Sequence, residues 1–281
     1  MAQETKEFAW IDERGTKIYA VEWSANSPRA VMGIVHGLGE HCRRYDHLAK
    51  YFAERGMACL GYDRTGHGRS GGKRGFAADY KQYVDEVATL VVECGRRYPG
   101  KPIFLYGHSM GGQILLRYLI RRNPKIAGAI VSAPHVQLPF RPNPVQLTLG
   151  KLMRRLKPDF TQPNGLDTRL LSRDPYVVER YLADPHVHSA LSAQTGIDML
   201  ENADQLNGYT GLVRVPTLLM HGDADGITSA DASKAFAGRN GEWVTYKNWP
   251  GYFHELHNEP DWKEVASYVA NWVDGKLPAG R

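Results

Sequence analysis

Residues 102–112, PIFLYGHSMGG, restrict the possible folds more than any other stretch of the chain. Ile103, Phe104, Leu105 and Tyr106 form a short apolar run, the pattern of a strand buried on both faces. Gly107-His108-Ser109-Met110-Gly111 follows and fits G-x-S-x-G, in which a serine sits on a sharp strand-to-helix turn. Behind it, Met110, Ile114, Leu115, Tyr118 and Leu119 recur at helical spacing. A serine hydroxyl is a poor nucleophile until a base takes its proton, and it must project from the fold on a strained backbone. Glycines at 107 and 111 let strand and helix approach closely. The helix aims N–H groups and its positive dipole end at the place where an oxyanion would form. The bland alternative, a Gly-rich turn with an ordinary exposed serine, is disfavoured by the strand before the motif and the helix after it.

The same strand–helix rhythm extends to both sides. Segments 7–11 and 17–23 flank a hairpin turn, and buried strands are expected at 30–35, 57–62, 126–132, 217–221 and 244–249. Helices are expected near 44–54, 79–97, 229–237 and 261–274. This alternation predicts an α/β fold with a mostly parallel sheet and right-handed crossovers, its core formed by residues 1–135 and 210–281. Between 136 and 209 the rhythm breaks. Prolines at 139, 142, 144, 158, 163, 175 and 185 punctuate helices near 144–156, 175–183 and 191–206, with no buried strand. We read 136–209 as a helical cap inserted over the C-terminal edge of the sheet.

A serine nucleophile on this fold needs a carboxylate and then a histidine, in that order along the chain. TLLMHGDADGI at the end of a late strand offers Asp223 and Asp225; Asp225 is preferred, with Asp223 the alternative. WPGYFHELHNEP offers His254, nearer the strand end, and His257, which is expected to lie behind it or at the surface. The oxyanion donors are expected to be the backbone N–H groups of Met110 and of Leu38, the latter in the glycine-flanked loop His36-Gly37-Leu38-Gly39.

Other features exclude rival chemistries. GHGRSGGKRG at 66–75 departs from the phosphate-loop pattern, since its glycine and hydroxyl positions carry His67 and Arg74. HELH at 254–257 is one residue short of a zinc-protease motif, and His186 and His188 have no evident third ligand. No metal and no cofactor are expected. A net charge of +5 is scattered along the chain and predicts no nucleic-acid partner. The start, MAQETKEFAW, is polar and unlike a secretory signal, and neither terminus carries a lipidation motif. No stretch approaches the ~18 apolar residues of a membrane span. Three cysteines without paired spacing, Cys42, Cys59 and Cys94, fit a reducing cytoplasm. Cys42 reads as a buried bystander, or else as a thiol at a pocket mouth. In PVQLTLGKLMRRLKP, leucines alternate with Lys151, Arg154, Arg155 and Lys157. A helix of this kind can make transient contact with a membrane surface, although an apolar side facing inward is the preferred reading.

With these residues in view, the chain resembles the monoacylglycerol lipase and lysophospholipase branch of the α/β-hydrolase superfamily. The matching blocks are HGLGEHCRRY (36–45), YDRTGHGRSGG (62–72), GHSMGG (107–112), SRDPYVVERYLADPHVH (172–188), LMHGDADGI (219–227) and YFHELHNEP (252–260). The sequence departs from the family pattern at Cys42, where a small residue is usual, and at Gly226, where a hydrophobic one is. The resemblance implies an eight-stranded sheet and a small cap over an acyl tunnel. It also implies a Ser109–Asp225–His254 triad with Leu38 and Met110 at the oxyanion hole. Its implied activity is hydrolysis of monoacylglycerols to fatty acid and glycerol through an acyl-enzyme, with a lipid or ester as the small-molecule partner. Lysophospholipase or short-chain carboxylesterase activity is the alternative. Acyl transfer or a non-catalytic binding role ranks below both.

Overall fold

In the computed structural model, residues 4–277 are described. The outer limits of the two core segments and the expectations about terminal signals fall partly on 1–3 and 278–281, outside the described residues. The strands are β1 (Thr5–Ile11), β2 (Lys17–Trp23), β3 (Ala30–Val35), β4 (Met57–Tyr62), β5 (Ile103–His108), β6 (Gly128–Ser132), β7 (Thr161–Pro163), β8 (Ala190–Ser192), β9 (Thr217–Gly222) and β10 (Val244–Trp249). The helices are α1 (Asp46–Ala53), α2 (Tyr80–Arg97), α3 (Met110–Arg122), α4 (Pro144–Leu156), α5 (Pro175–Ala183), α6 (Ala193–Asn207), α7 (Ala230–Arg239) and α8 (Trp262–Asp274).

Eight strands form one sheet in the order β1-β2-β4-β3-β5-β6-β9-β10. β2 runs antiparallel to both its neighbours, and every other pairing in this sheet is parallel. A parallel sheet must be covered on both faces, which is why β3, β4 and β6 are buried at every position. One face packs Leu60, Leu105 and Val131 against Leu90 of α2 and Leu115 of α3. The other packs Met32, Phe104 and Ile130 with Phe52 of α1 and Val269 of α8. Helix ends follow local chemistry. The Asp79 carboxylate accepts the Gln82 N–H at the start of α2, and Asn123 closes α3 in a left-handed conformation, φ 42°.

Residues 136–209 carry no buried strand; they do hold a separate, largely unburied two-stranded ribbon in which β7 and β8 pair antiparallel. At three residues each, these strands are too short to leave a period-two signature in the sequence. One expectation about this segment needs correction: α4 does not turn all its apolar residues inward. Leu147 and Gly150 face the cavity described below, but Val145, Leu149, Leu152 and Leu156 are between 50% and 74% exposed. Gly150 accounts for the orientation: a Cβ there would lie 3.1 Å from Ile197 Cδ1, so the glycine side of α4 settles on α6. The apolar positions 145, 149, 152 and 156 recur at helical spacing along the outer face.

Candidate active site

Ser109 joins β5 to α3 with φ 54° and ψ −119°, a conformation that a residue with a side chain adopts only under strain. The flanking glycines make this turn possible. A Cβ on Gly107 would lie 2.7 Å from the Gly111 carbonyl oxygen, and one on Gly111 would collide with the carbonyl oxygens of Val35 and His36. The turn places the hydroxyl 2.8 Å from His254 Nε2, although 145 positions separate the two residues. His254 Nδ1 lies 2.7 Å from Asp225 Oδ2. The expected serine, histidine and carboxylate therefore meet at the C-terminal ends of β5, β9 and β10.

Asp225 is held by more donors than the sequence suggested. Its Oδ1 accepts the N–H groups of Ile227 at 2.7 Å and Thr228 at 3.0 Å. Its Oδ2 also takes the Thr228 hydroxyl at 2.9 Å and His221 Nε2 at 2.9 Å. His221 ends β9, four residues before the carboxylate, and its Nδ1 lies 2.9 Å from the Ser233 hydroxyl. Burial opposes charge on Asp225, but His254 and the bonds from His221 and His254 outweigh it, and the carboxyl stays ionised well below the usual range. Burial likewise opposes an imidazolium at His254, yet the Asp225 charge and hydrogen bond hold its pKa above the ordinary 6.5. Asp223 stands elsewhere. Its carboxylate accepts Asn248 Nδ2 at 2.9 Å and the Gly251 N–H at 2.6 Å, at the surface.

The loop carrying Leu38 lies against the serine turn: a Cβ on Gly37 would come within 3.4 Å of Ser109 Cβ. Arg64, fully buried, ties this loop down by donating to the carbonyl oxygens of His36 and Gly37. Met110 is the first residue of α3, so its N–H belongs to the helix end next to Ser109. His257 is buried rather than superficial, stacked 4.4 Å from the Tyr45 ring and edge-on to that of His108 at 4.8 Å. Cys42 is also buried; burial, then Asp63, pushes its thiol pKa well up, and it does not line the cavity.

A charged network beneath the site escaped the sequence reading. Glu40 Oε1 accepts the Gly37 N–H at 2.5 Å and the Tyr45 hydroxyl at 2.8 Å, and Oε2 takes Arg44 at 2.6 Å. The Arg44 guanidinium also grips both carboxylate oxygens of Glu255, at 2.6 and 2.7 Å, and sits 4.7 Å over the Tyr181 ring of α5. The loop carrying Leu38, the loop carrying His254 and α5 are thereby tied to one cation. Only the i, i+4 spacing of Glu40 and Arg44 hinted at this. Backbone bonds add further ties from the 136–209 segment. The N–H groups of His254 and Glu255 donate to the carbonyl oxygens of Leu170 and Leu171, and the His188 N–H donates to that of Gly39.

Above Ser109 and His254 is a cavity of about 440 Å³, with Leu38, Leu138, Leu147, Leu171, Ile197 and Met199 among its walls. A strained serine, a buried histidine and an ionised aspartate opening on an apolar chamber define a serine hydrolase of the α/β-hydrolase superfamily.

Residues 26–261 match the profile of the serine aminopeptidase S33 family, Hydrolase_4. A monoacylglycerol lipase of Mycolicibacterium smegmatis is 34% identical over 266 residues, covering 94% of this chain and 95% of the relative. Phospholipase YtpA of Bacillus subtilis is 29% identical over 255 residues, 90% of this chain and 98% of the relative. The crystal structure of Paleococcus ferrophilus monoacylglycerol lipase superposes with a TM-score of 0.84 at 30% identity, covering 92% of this chain and 99% of that one. The chain belongs to the serine aminopeptidase S33 family, within the branch of α/β-hydrolases that holds the monoacylglycerol lipases.

Proposed function

We propose that this protein hydrolyses monoacylglycerols to fatty acid and glycerol, with Ser109 as nucleophile, His254 as base and acid, and Asp225 as the group that orients the imidazole. The observation that carries the proposal is the 2.8 Å contact of Ser109 Oγ with His254 Nε2 at the floor of an apolar cavity. Relatives named monoacylglycerol lipases, 30–34% identical, support the choice of ester. In the mechanism, His254 takes the Ser109 proton as the oxygen attacks the ester carbonyl. The Leu38 and Met110 N–H groups hold the oxyanion. His254 then protonates the leaving glycerol oxygen. A water deprotonated by His254 finally attacks the acyl-serine and releases the fatty acid. Residues 136–209 serve as the cap that walls the acyl chamber, and the three buried, unpaired cysteines fit a cytoplasmic setting.

The test is kcat/KM across monoacylglycerols and lysophosphatidylcholines of matched chain length, with p-nitrophenyl esters as a baseline. Monoacylglycerols are expected to lead. A lead for the lysophospholipids would favour the lysophospholipase reading, which the named phospholipase relative supports. No turnover of any ester would refute both.

A finer part of the proposal concerns α4. Its outward row Val145, Leu149, Leu152 and Leu156 lies beside Lys151, Arg155 and Lys157, a surface suited to an anionic lipid interface. Leu149→Ser with Leu152→Ser is expected to weaken co-sedimentation with phosphatidylglycerol vesicles by roughly 10-fold, on the scale of two lost leucine insertions. Hydrolysis of a short, water-soluble ester controls for folding. Undiminished vesicle binding would remove this part.

A further inference from the structure

The chamber wall next to Ser109 carries a polar group for which a plain acyl ester has no use. His135 follows β6, and its backbone N–H donates to the Ser109 carbonyl oxygen at 3.2 Å. His135, only 4% exposed, lines both the main cavity and a side cavity of about 230 Å³. The two cavities share the apolar residues Leu138, Leu147 and Ile197. Beyond them the side cavity turns polar, reaching Gln137, Lys151, Asp204 and Asn207.

A buried amide fixes the proton on this ring. Gln113 Oε1 accepts the Tyr80 hydroxyl at 2.7 Å, which makes Nε2 the donor end of the amide. The two N–H groups of Nε2 point to the carbonyl oxygens of His135 at 2.7 Å and Met199 at 2.9 Å, and the same nitrogen lies 3.0 Å from His135 Nδ1. An amide nitrogen accepts no hydrogen bond, so a proton on Nδ1 would face a donor; the arrangement favours a lone pair on Nδ1 and the proton of the neutral ring on Nε2. Burial, and secondarily the nearby His254, pushes the His135 pKa down to about 4, which keeps the ring neutral where His254 is active as a base. Three elements, α2, α3 and α6, thus hold one imidazole so that its Nε2 edge, without a hydrogen-bond partner among the described residues, is turned away from Gln113 and toward the cavities.

We infer that His135 Nε2–H, with the side cavity behind it, selects acyl chains bearing a hydrogen-bond-accepting oxygen, a hydroxyl or keto group along the chain. The inference rests on the ester-hydrolase function proposed above and deepens it. A pure hydrocarbon chain would cover the N–H and leave it unpaired, and an unpaired buried donor is what lets a polar pocket discriminate strongly. The oxygen is bound and takes part in no bond-making step.

The experiment compares glycerol monoesters of a saturated twelve-carbon acid with its positional hydroxy and oxo isomers, on the wild type, His135→Leu and His135→Gln. At least one oxygenated isomer is expected to exceed the plain ester in kcat/KM by about 10-fold in the wild type, the scale of one hydrogen bond gained together with one unpaired donor avoided. His135→Leu is expected to bring that ratio close to one, and His135→Gln, which keeps a donor, to retain most of it. Wild-type turnover of the plain ester with no oxygenated isomer above it overturns this inference alone, whether or not either variant folds. An unchanged ratio in His135→Leu does the same. Failure to hydrolyse any monoester overturns both this inference and the function on which it rests.

Discussion

Ser109→Ala is expected to lower kcat on a monoacylglycerol by about a million-fold, the scale seen when a nucleophilic serine is removed from a hydrolase that acts as a unit with its histidine. The backbone strain at position 109 and the His254–Asp225 pair survive the substitution, so the variant should keep its thermal midpoint and still bind ester. Release of fatty acid and labelling by a fluorophosphonate are the two measurements. A variant that retains either at wild-type rate sinks the assignment of the nucleophile. In the wild type the same assay carries a pH signature. As the proposed base, His254 would act only when neutral, and Asp225 holds its pKa above 6.5, so the rate should rise with pH through an inflection above that value.

Arg44→Met should produce the largest loss of stability from a single site outside the reacting atoms. It removes the cation that, alone among the described residues, meets Glu40 at 2.6 Å and Glu255 at 2.6 Å, side chains that are 3% and 2% exposed. Breaking a buried pair from one side typically costs about 3–5 kcal/mol, because the remaining charge stays out of water without its counter-ion. In a chain of this size that corresponds to a fall in Tm of roughly 10 °C. Activity should fall as well at temperatures where the variant is still folded, since Glu40 holds the Gly37 N–H and Glu255 adjoins His254. Arg44→Lys keeps the charge but loses the two-pronged grip on Glu255, and should fall between wild type and methionine. Scanning calorimetry decides. A methionine variant melting within a degree or two of the wild type would show that the network contributes little.

The contrast between Ser109 and Arg44 indicates which features a sequence exposes. The serine turn was legible because covalent geometry dictates it: Gly107 and Gly111 stand where a Cβ would strike backbone, and the strand and helix around them have their own periodicities. Asp225 and His254 were legible through their order and their places just past strands. Arg44 was not, since its partner Glu255 lies 211 residues away and no local spacing marks the pair. His221 was hidden for a different reason. It ends an apolar strand, where a histidine looks like any buried core residue until Asp225 folds back on it. The orientation of α4 was ambiguous in principle, because the helix carries leucines on more than one side. The choice fell to Gly150, the position where α6 could come close.

The backbone bonds from residues 170, 171 and 188 to the loops holding His254 and Gly39 have a mechanical consequence. If residues 136–209 lifted as one hinged piece, they would pull on the loops that carry His254 and Gly39. Residues 170, 171 and 188 are pinned to those loops, whereas α4 has no buried residue and is held to α6 along a glycine seam and by the ion pairs of Arg154 with Asp198 and Glu201.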